Sequence, residues 1–409
     1  MVPVFETDDH KSLRKAARAF ALAEVAPRVA EMESSAAVDT VLPDLIAQQG
    51  WIGVTIPRQY GGMGAGHVAK TIIIEELSRV SGAAGAIAQA SQLGVAKILH
   101  FGTEQQKQQW LTPIAAGACL PTIATTEEGS GAHVLAMQAT AERDGDHYIL
   151  NGRKKYIGNS HVGHVHGAVF RTVPETEAPR SLTAFLVEAN RPGVRVEPYQ
   201  PALGLRGFSF GDVVFENVRV PAANRLGDEG DGLDVAYSSS VLYGRLNLAA
   251  VALGILAAAV ADTVAFAKER HRYGRELGRH PVIGQRIGQL EHRLRSAHTA
   301  VYQAAHLLDH GKPCDADLFD AKYGAVEAAI TSAADAVRIH GGAGLRADRR
   351  VGRYYRDAIC VDPPAGPADI QLHRLAESAL GIDHGPQWSV RFAHLTALAP
   401  QPKLREPAA

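Results

Sequence analysis

Three stretches of this 409-residue chain have residue types and spacings that could do chemistry. The richest is RIHGGAGLRADRRVGRYYRDAICVDPPAGPADIQ, from Arg338 to Gln371. It opens with glycines at 341, 342 and 344, crosses a basic and aromatic run from Arg349 to Arg356, and closes on Pro363, Pro364 and Pro367. Glycines give backbone amides close access to a phosphate or a flat ring, and prolines fix the turn that follows, so the composition is that of a ligand loop. Taken alone, the glycine cluster is equally an ordinary turn. The second stretch, ERHRYGRELG, holds Arg270, Arg272 and Tyr273; by itself it reads as a solvated helix end beside Glu269 with a core aromatic. The third is His161, His164 and His166, two of which share one face of a strand. No carboxylate or cysteine stands beside them at ligand spacing, so they read as solvent-facing strand histidines and no metal site is expected.

These residues must be positioned by three successive kinds of structure. From Asp8 to about Gly117 the pattern is helical. SLRKAARAFALAEVAPRVAEME repeats its apolar residues at spacings of three and four, VLPDLIAQQG stops at Gly50, and Thr103 with Gln106 forms a capping box ahead of QQKQQWLTPIAAG. From about Cys119 short β-rich runs alternate with Gly, Asp, Asn and Pro, the signature of a small antiparallel sheet. Long alanine-rich helices resume at Gly232: 233–271, 284–310, 315–340 and 371–380, the pattern of a helical bundle. The expected class is α+β, with an N-terminal helical domain over 1–119, a central β-domain over 120–228 and a C-terminal bundle over 229–400. The tail from Ala399 is expected to fray.

Composition narrows the partners. With 46% hydrophobic and 21% charged residues, and 42 basic against 43 acidic side chains, the chain has the make-up of a globular protein and no bulk charge to favour nucleic acid or an anionic membrane. Its three cysteines lack paired metal spacing and point to a reducing compartment. No signal-type N-terminus is present, and the apolar run from Leu246 to Ala261 is read as too short for a membrane span. A cytoplasmic protein is expected.

In this setting the chain resembles the acyl-CoA dehydrogenase family over almost its whole length. The resemblance is carried, in order, by IPRQYGGMG (56–64), FGTEQQKQQWLTPIAAG (101–117), NGRKKYIGN (151–159), LGLRGF (203–208), VVFENVRVP (213–221), ERHRYGRELG (269–278), RIHGGAGL (338–345) and YYRDA (354–358). It implies FAD bound between the sheet and the bundle and shared across an interface, in a homodimer or homotetramer. It also implies residue roles. Thr125 and Thr126 would donate to the pyrimidine edge of the flavin, where such donors stabilise developing charge. Tyr156 would lie by the ring, and Gly158 would stand where the family has a threonine or serine. Arg270 and Tyr273 would reach the neighbouring subunit's FAD, a guanidinium being a fork suited to pyrophosphate. Gly341 and Gly342 would approach that same FAD, and Arg338 would replace an adenine-side glutamine. Arg245 would begin the helix that lines the acyl pocket.

The departures concern the base. The family removes an α-proton with a glutamate while the flavin accepts a hydride. Here PPAGPADIQ puts Ala365 at the glutamate's place, and Gly244 occupies the alternative station just before Arg245. Neither can accept a proton. Asp362 and Glu127 are the nearest carboxylates in sequence. The expected function is an FAD-dependent oxidoreductase of acyl thioesters, on CoA or a carrier protein, working without that base. Loss of CO2 from a β-position or oxidation of an aldehyde hydrate would suit it, with an electron-transfer flavoprotein or oxygen as acceptor, as in natural-product pathways. A non-catalytic subunit of a heteromer and a dehydrogenase with a relocated base are the alternatives.

Overall fold

The computed structural model of the chain describes residues 6–35, 37–173, 178, 180–382, 385 and 387–398. The expected long first helix is interrupted. α1 (Asp8–Phe20) passes into a π-turn (Ala21–Val25) and a 3₁₀ turn (Ala26–Arg28) before α2 (Val29–Ser34). Pro27 explains the break, since it has no N–H to continue an α-helical ladder. α3 (Leu42–Gln48) ends ahead of Gly50, which takes the left-handed conformation at φ +74 that a helix terminus needs. α4 (Gly66–Val80), α5 (Gly82–Phe101) and α6 (Glu104–Ala115) complete the first third. The capping box is present at α6: the Gln106 N–H donates to Thr103 Oγ1 at 3.2 Å and the Thr103 N–H to Gln106 Oε1 at 2.9 Å. Gln106 Nε2 also donates to the carbonyls of Ala223 and Arg225, both at 2.8 Å, so the cap ties helix to sheet.

The sheet contains β1 (Pro121–Ala124), β2 (Thr140–Asp144), β3 (His147–Gly158), β4 (Val165–Arg171), β5 (Leu182–Glu188), β6 (Val194–Val196), β7 (Phe210–Pro221) and β8 (Arg225–Leu226). Their order is β6-β7-β3-β2-β4-β5-β8, mostly antiparallel, with β1 running parallel beside β4. One face joins the helical core through Val165, Val169, Leu182 and Leu186; the other closes a second core around Tyr148, Phe170, Phe185 and Phe215. β4 is therefore buried on both faces.

The last third is a bundle. α7 (Gly232–Ser239) continues through a π-turn (Ser240–Arg245) into α8 (Leu246–Glu269). A hairpin of β9 (His271–Arg272) and β10 (Arg275–Glu276) follows, then α9 (Pro281–Asp309), α10 (Asp315–His340), α11 (Val351–Cys360) and α12 (Ala368–Leu380). Two short helices, α13 (Trp388–Arg391) and α14 (Ala393–Thr396), fold back on the bundle; the frayed tail expected from Ala399 lies outside the described residues. The helical stretch Gly232–Glu269 spans 38 residues and is, by length and composition, able to cross a bilayer, against the reading of its apolar run as too short; most of it is buried in the protein's own core.

Replacing Gln106 by alanine removes one half of the cap and both bonds to the sheet. We expect a loss of about 2 kcal/mol of unfolding free energy, taking roughly 1 kcal/mol for the cap and the same for the bridging bonds. Thr103→Ala should cost only about 1 kcal/mol. Urea denaturation of the two variants checks the difference.

Candidate active site

The loop between α11 and α12 is shaped from below by a lysine. Lys322 on α10 donates through Nζ to the carbonyl oxygens of Asp362 at 2.7 Å, Pro364 at 2.6 Å and Gly366. Burial lowers this amine to about 7, with nearby Arg245 pushing the same way and Asp362 opposing. Gln371 Nε2 donates to the carbonyls of Ala365 at 3.1 Å and Gly366 at 2.6 Å, and its Oε1 accepts from Arg245 Nε at 2.9 Å. So held, Ala365 and Gly366 take φ +54 and +89. A non-glycine residue in that region is uncommon and persists only where its surroundings determine it.

The two stations without an acid face each other. A Cβ added to Gly244 would lie 3.0 Å from the Ala365 methyl and 3.5 Å from Leu93 Cδ2. Arg245, next in the π-turn, is 3% exposed; it donates to neutral acceptors, Gln371 and Ser240 Oγ, and its guanidinium lies 4.9 Å from the Phe319 ring centroid. Burial lowers it to about 10. The two carboxylates nearest in sequence are engaged elsewhere. Asp362 Oδ1 accepts the Ala368 N–H at 3.0 Å, at the start of α12. Glu127 accepts from the Gln138 and Ala139 amides at 2.6 and 3.1 Å and from Lys154 Nζ at 2.7 Å.

Thr125 and Thr126 emerge half-buried from the end of β1. Behind them stand two fully buried lysines. Lys97 Nζ on α5 donates to Thr125 Oγ1 at 3.1 Å and to the Gly167 carbonyl at 2.9 Å, while Lys154 Nζ on β3 reaches the Thr125 carbonyl at 3.3 Å. Beside them a register shift in β3 between Lys154 and Ile157 turns Tyr156 to φ +62 and leaves it 52% exposed, its ring stacked on Phe210 at 5.7 Å. At Gly158 a side chain has no room: its Cβ would lie 2.9 Å from Phe208 Cζ and 3.0 Å from the Ala90 methyl. Phe208 thus fills the space above Gly158.

The remaining candidates lie at the other end of the bundle. Arg270 and Tyr273 sit on the β9–β10 hairpin, and Tyr273 is 95% exposed at φ +51, so it is no core aromatic. Arg338 is exposed and pairs with Asp335 at 3.2 Å. Gly341, at φ +58, and Gly342 have no atom within 4 Å of where a Cβ would stand. These residues share no hydrogen bond with the Thr125 cluster.

The histidines need correcting. His166 is fully buried, pairs with Thr122 Oγ1 at 2.6 Å, and is held to about 4 by burial. His161 is half-buried between Ser209 Oγ and the Glu197 carbonyl, both at 2.8 Å. His164 alone is exposed, and it accepts the Leu120 N–H at 3.1 Å. No group of three or more metal-ligating side chains occurs among the described residues. Sequence reasoning also missed Lys97, Lys154, Lys322, Gln371 and Phe208. For Lys97 a signal existed, because it stands four residues after Leu93 on a helix that has no polar face.

The exposed Tyr156 ring and the half-buried Thr125 hydroxyl backed by Lys97 suit a flat, anionic cofactor. Comparison with known proteins agrees. The chain matches the family described as acyl-CoA dehydrogenase in all three of its parts, the N-terminal domain over residues 7–118, the middle domain over 122–218 and the C-terminal domain over 230–380. It is 34% identical to a 3-(aryl)acrylate reductase of Clostridium sporogenes, over 92% of this chain and all of that protein. Among solved structures, butyryl-CoA dehydrogenase of Megasphaera elsdenii superposes with a TM-score of 0.89 at 30% identity, covering 93% of this chain and 100% of that one. PigA in complex with FAD superposes at 0.87 and 26% identity, with the same coverage. The fold and site therefore define a flavin-dependent oxidoreductase. The chain belongs to the acyl-CoA dehydrogenase family, and its cofactor is FAD.

The contact between Gly158 and Phe208 can be tested by a double-mutant cycle. Gly158→Thr overpacks the site and should cost about 1–3 kcal/mol. In the Phe208→Ala background the same change should cost at least about 1 kcal/mol less, a coupling between touching residues. Thermal unfolding of the four proteins, with FAD retained per chain, gives the measurement.

Proposed function

We propose that this protein oxidises or reduces an acyl thioester, carried by CoA or a carrier protein, through a reaction in which the enzyme supplies no carboxylate base. The carrying observation is the contact of Gly244 with Ala365, which leaves both acid stations without an ionisable group. FAD, when bound, supplies a hydride acceptor; the chain supplies position. Arg245 and Gln371 fix the loop that faces the substrate, the buried Leu93 closes one side against water, and Lys322 keeps the Ala365 methyl directed at the site. A substrate that forms its carbanion by losing CO2, or an aldehyde hydrate that needs only hydride removal, is compatible with such a wall. A biosynthetic role, on a substrate held by CoA or a carrier protein, is part of this reading; a relative, PigA, is solved with FAD and proline. Either an electron-transfer flavoprotein or oxygen would take the electrons. We place the working form as a homodimer or homotetramer, because Tyr273, Arg270 and the Gly341–Gly342 backbone lie open on the single chain.

That same exposure favours a second reading, a base-less subunit whose outward residues serve an active partner's FAD. One FAD per chain in protein purified without a related chain counts against it. A relocated base, the third reading, is opposed by the engagement of Glu127 and Asp362.

Anaerobic bleaching of the flavin separates these. Saturated acyl-CoA should bleach the parent protein slowly or not at all. Ala365→Glu should raise that rate by about a hundredfold or more, the usual worth of a positioned general base. Rapid bleaching of the parent by a saturated thioester, unchanged in the variant, would sink the proposal.

A further inference from the structure

We propose that Lys97 is the charge-balancing residue of the flavin site: its ammonium, acting through the Thr125 hydroxyl, offsets the negative charge that reduction places on the edge of the cofactor facing that threonine.

The geometry begins with the threonine. Thr125 Oγ1 accepts a hydrogen bond from Lys97 Nζ at 3.1 Å and donates to no group among the described residues. A hydroxyl has one hydrogen to give, and an ammonium on its lone pair makes it a stronger donor. Thr125 is half-buried just after β1, and its hydroxyl hydrogen has no acceptor among the described residues, so a ligand bound there can provide one. Lys97 is not otherwise neutralised. It is fully buried, its second acceptor is the neutral Gly167 carbonyl, and its Cδ lies where a Cβ of Gly167 would come within 3.0 Å. A buried ammonium without a carboxylate is a costly arrangement, and it calls for a compensating charge.

The groups around it supply none. On β3, Lys154 is a second buried cation, and its charge disfavours that of Lys97. Glu127, after β1, gives its Oε1 to Lys154 at 2.7 Å and both oxygens to backbone amides. On β4, His166 is neutral and bonded to Thr122. One turn along α5, His100 has both ring nitrogens buried and is held to about 3 by that desolvation. The one carboxylate here serves Lys154 alone, and the missing negative charge is of the kind that a reduced flavin carries.

The bland alternative is that Lys97 merely pins α5 to the sheet. The two differ in proton balance. Burial and Lys154 bring Lys97 to about 7, so above that pH the amine is largely neutral while the cofactor is oxidised. New negative charge on the cofactor raises its affinity for a proton. For each pair of electrons delivered by dithionite, one proton then enters the reduced cofactor and a second, taken from water, converts Lys97 to ammonium. Below about pH 7 Lys97 already holds its proton, and only one is taken up.

Redox titration of the FAD-loaded protein between about pH 6 and 9 tests this without any substrate, so its outcome is independent of the reaction proposed above. The parent should take up one proton per two electrons at the acid end and two above neutrality. Lys97→Met, which keeps the buried stem, should take up only one proton above neutrality. At about pH 6 its reduced form should be disfavoured at least tenfold, which for a two-electron couple is about 30 mV. A one-proton slope across the whole range in the parent overturns the proposal, as does a Lys97→Met protein with the parent's slope and potential. If Lys97→Met does not retain FAD, Lys97→Gln, which keeps a donor to Thr125 without the charge, is read in the same way, and the slope of the parent still decides.

Discussion

A helix that is apolar all round is stable only where it is covered all round, and the stretch Gly232–Glu269 imposes that requirement on the whole chain. α4, α9 and α10 pack against α8, and the approach of α4 is close. A Cβ at Gly254 would come within 2.5 Å of the Glu75 carbonyl oxygen and of Ser78 Cβ. With α8 fixed in this way, the π-turn at its start is fixed as well. Such a turn carries an extra residue and re-aims the side chains around it. Gly244 is turned to Ala365, while its neighbour Tyr243 faces the other way, under Lys70 Nζ at 3.9 Å from its ring centre and bonded to Thr55 Oγ1 at 3.1 Å. The position of the site is thus a consequence of how the helix is buried.

The buried carboxylates share a common employment. Asp309 accepts the amides of His67 and Val68, Asp315 those of Trp388 and Ser389, Asp357 that of Leu205, and Glu127 those of Gln138 and Ala139. Glu75 and Glu76 meet Arg14, with Tyr302 and Arg18 completing the group. These carboxylates hold the backbone and the helices together, and withdrawing one for proton transfer would leave buried donors unpaired at about 1–3 kcal/mol each. The cations are distributed differently. Arg245, Lys322 and Lys97 are buried against neutral carbonyls, hydroxyls and an amide, so the interior near the proposed site is biased toward positive charge. A site of this electrostatic character suits an anionic cofactor and a substrate that brings its own negative charge.

How much of this the sequence discloses depends on the range of the interaction. Thr103 with Gln106 and the stop at Gly50 are local, three or four residues long, and the structure has them where the residue types put them. His166 was misread because alternation suggests one wet face, whereas β4 lies between two cores and both faces are dry. Lys322 is hidden for a related reason. A lysine on a helix ordinarily reads as solvent-facing, and only its partners across the fold, here the loop carbonyls, reveal otherwise, whereas Lys97 is marked by the lack of a polar face on α5. The pairing of Gly244 with Ala365, separated by more than a hundred positions, was reachable only through resemblance to a family; periodicity has no access to it.

The base-less subunit and the base-less enzyme predict different wear on the same chain. A subunit that serves only its partner's FAD needs the outward set, Arg270, Tyr273 and the Gly341–Gly342 backbone. It has no use for an inward set. Here the inward set is built with care: a bulge turns Tyr156 out at φ +62, Phe208 closes the space at Gly158, and two buried lysines stand behind Thr125. The bulge and the lysines cost stability, through strain at a positive φ and through desolvation of a cation. Such costs are offset only if something occupies the place they surround. The physical economy of the inward set therefore favours a chain that holds FAD for its own chemistry, and confines the loss at Ala365 to the step in which a proton is taken.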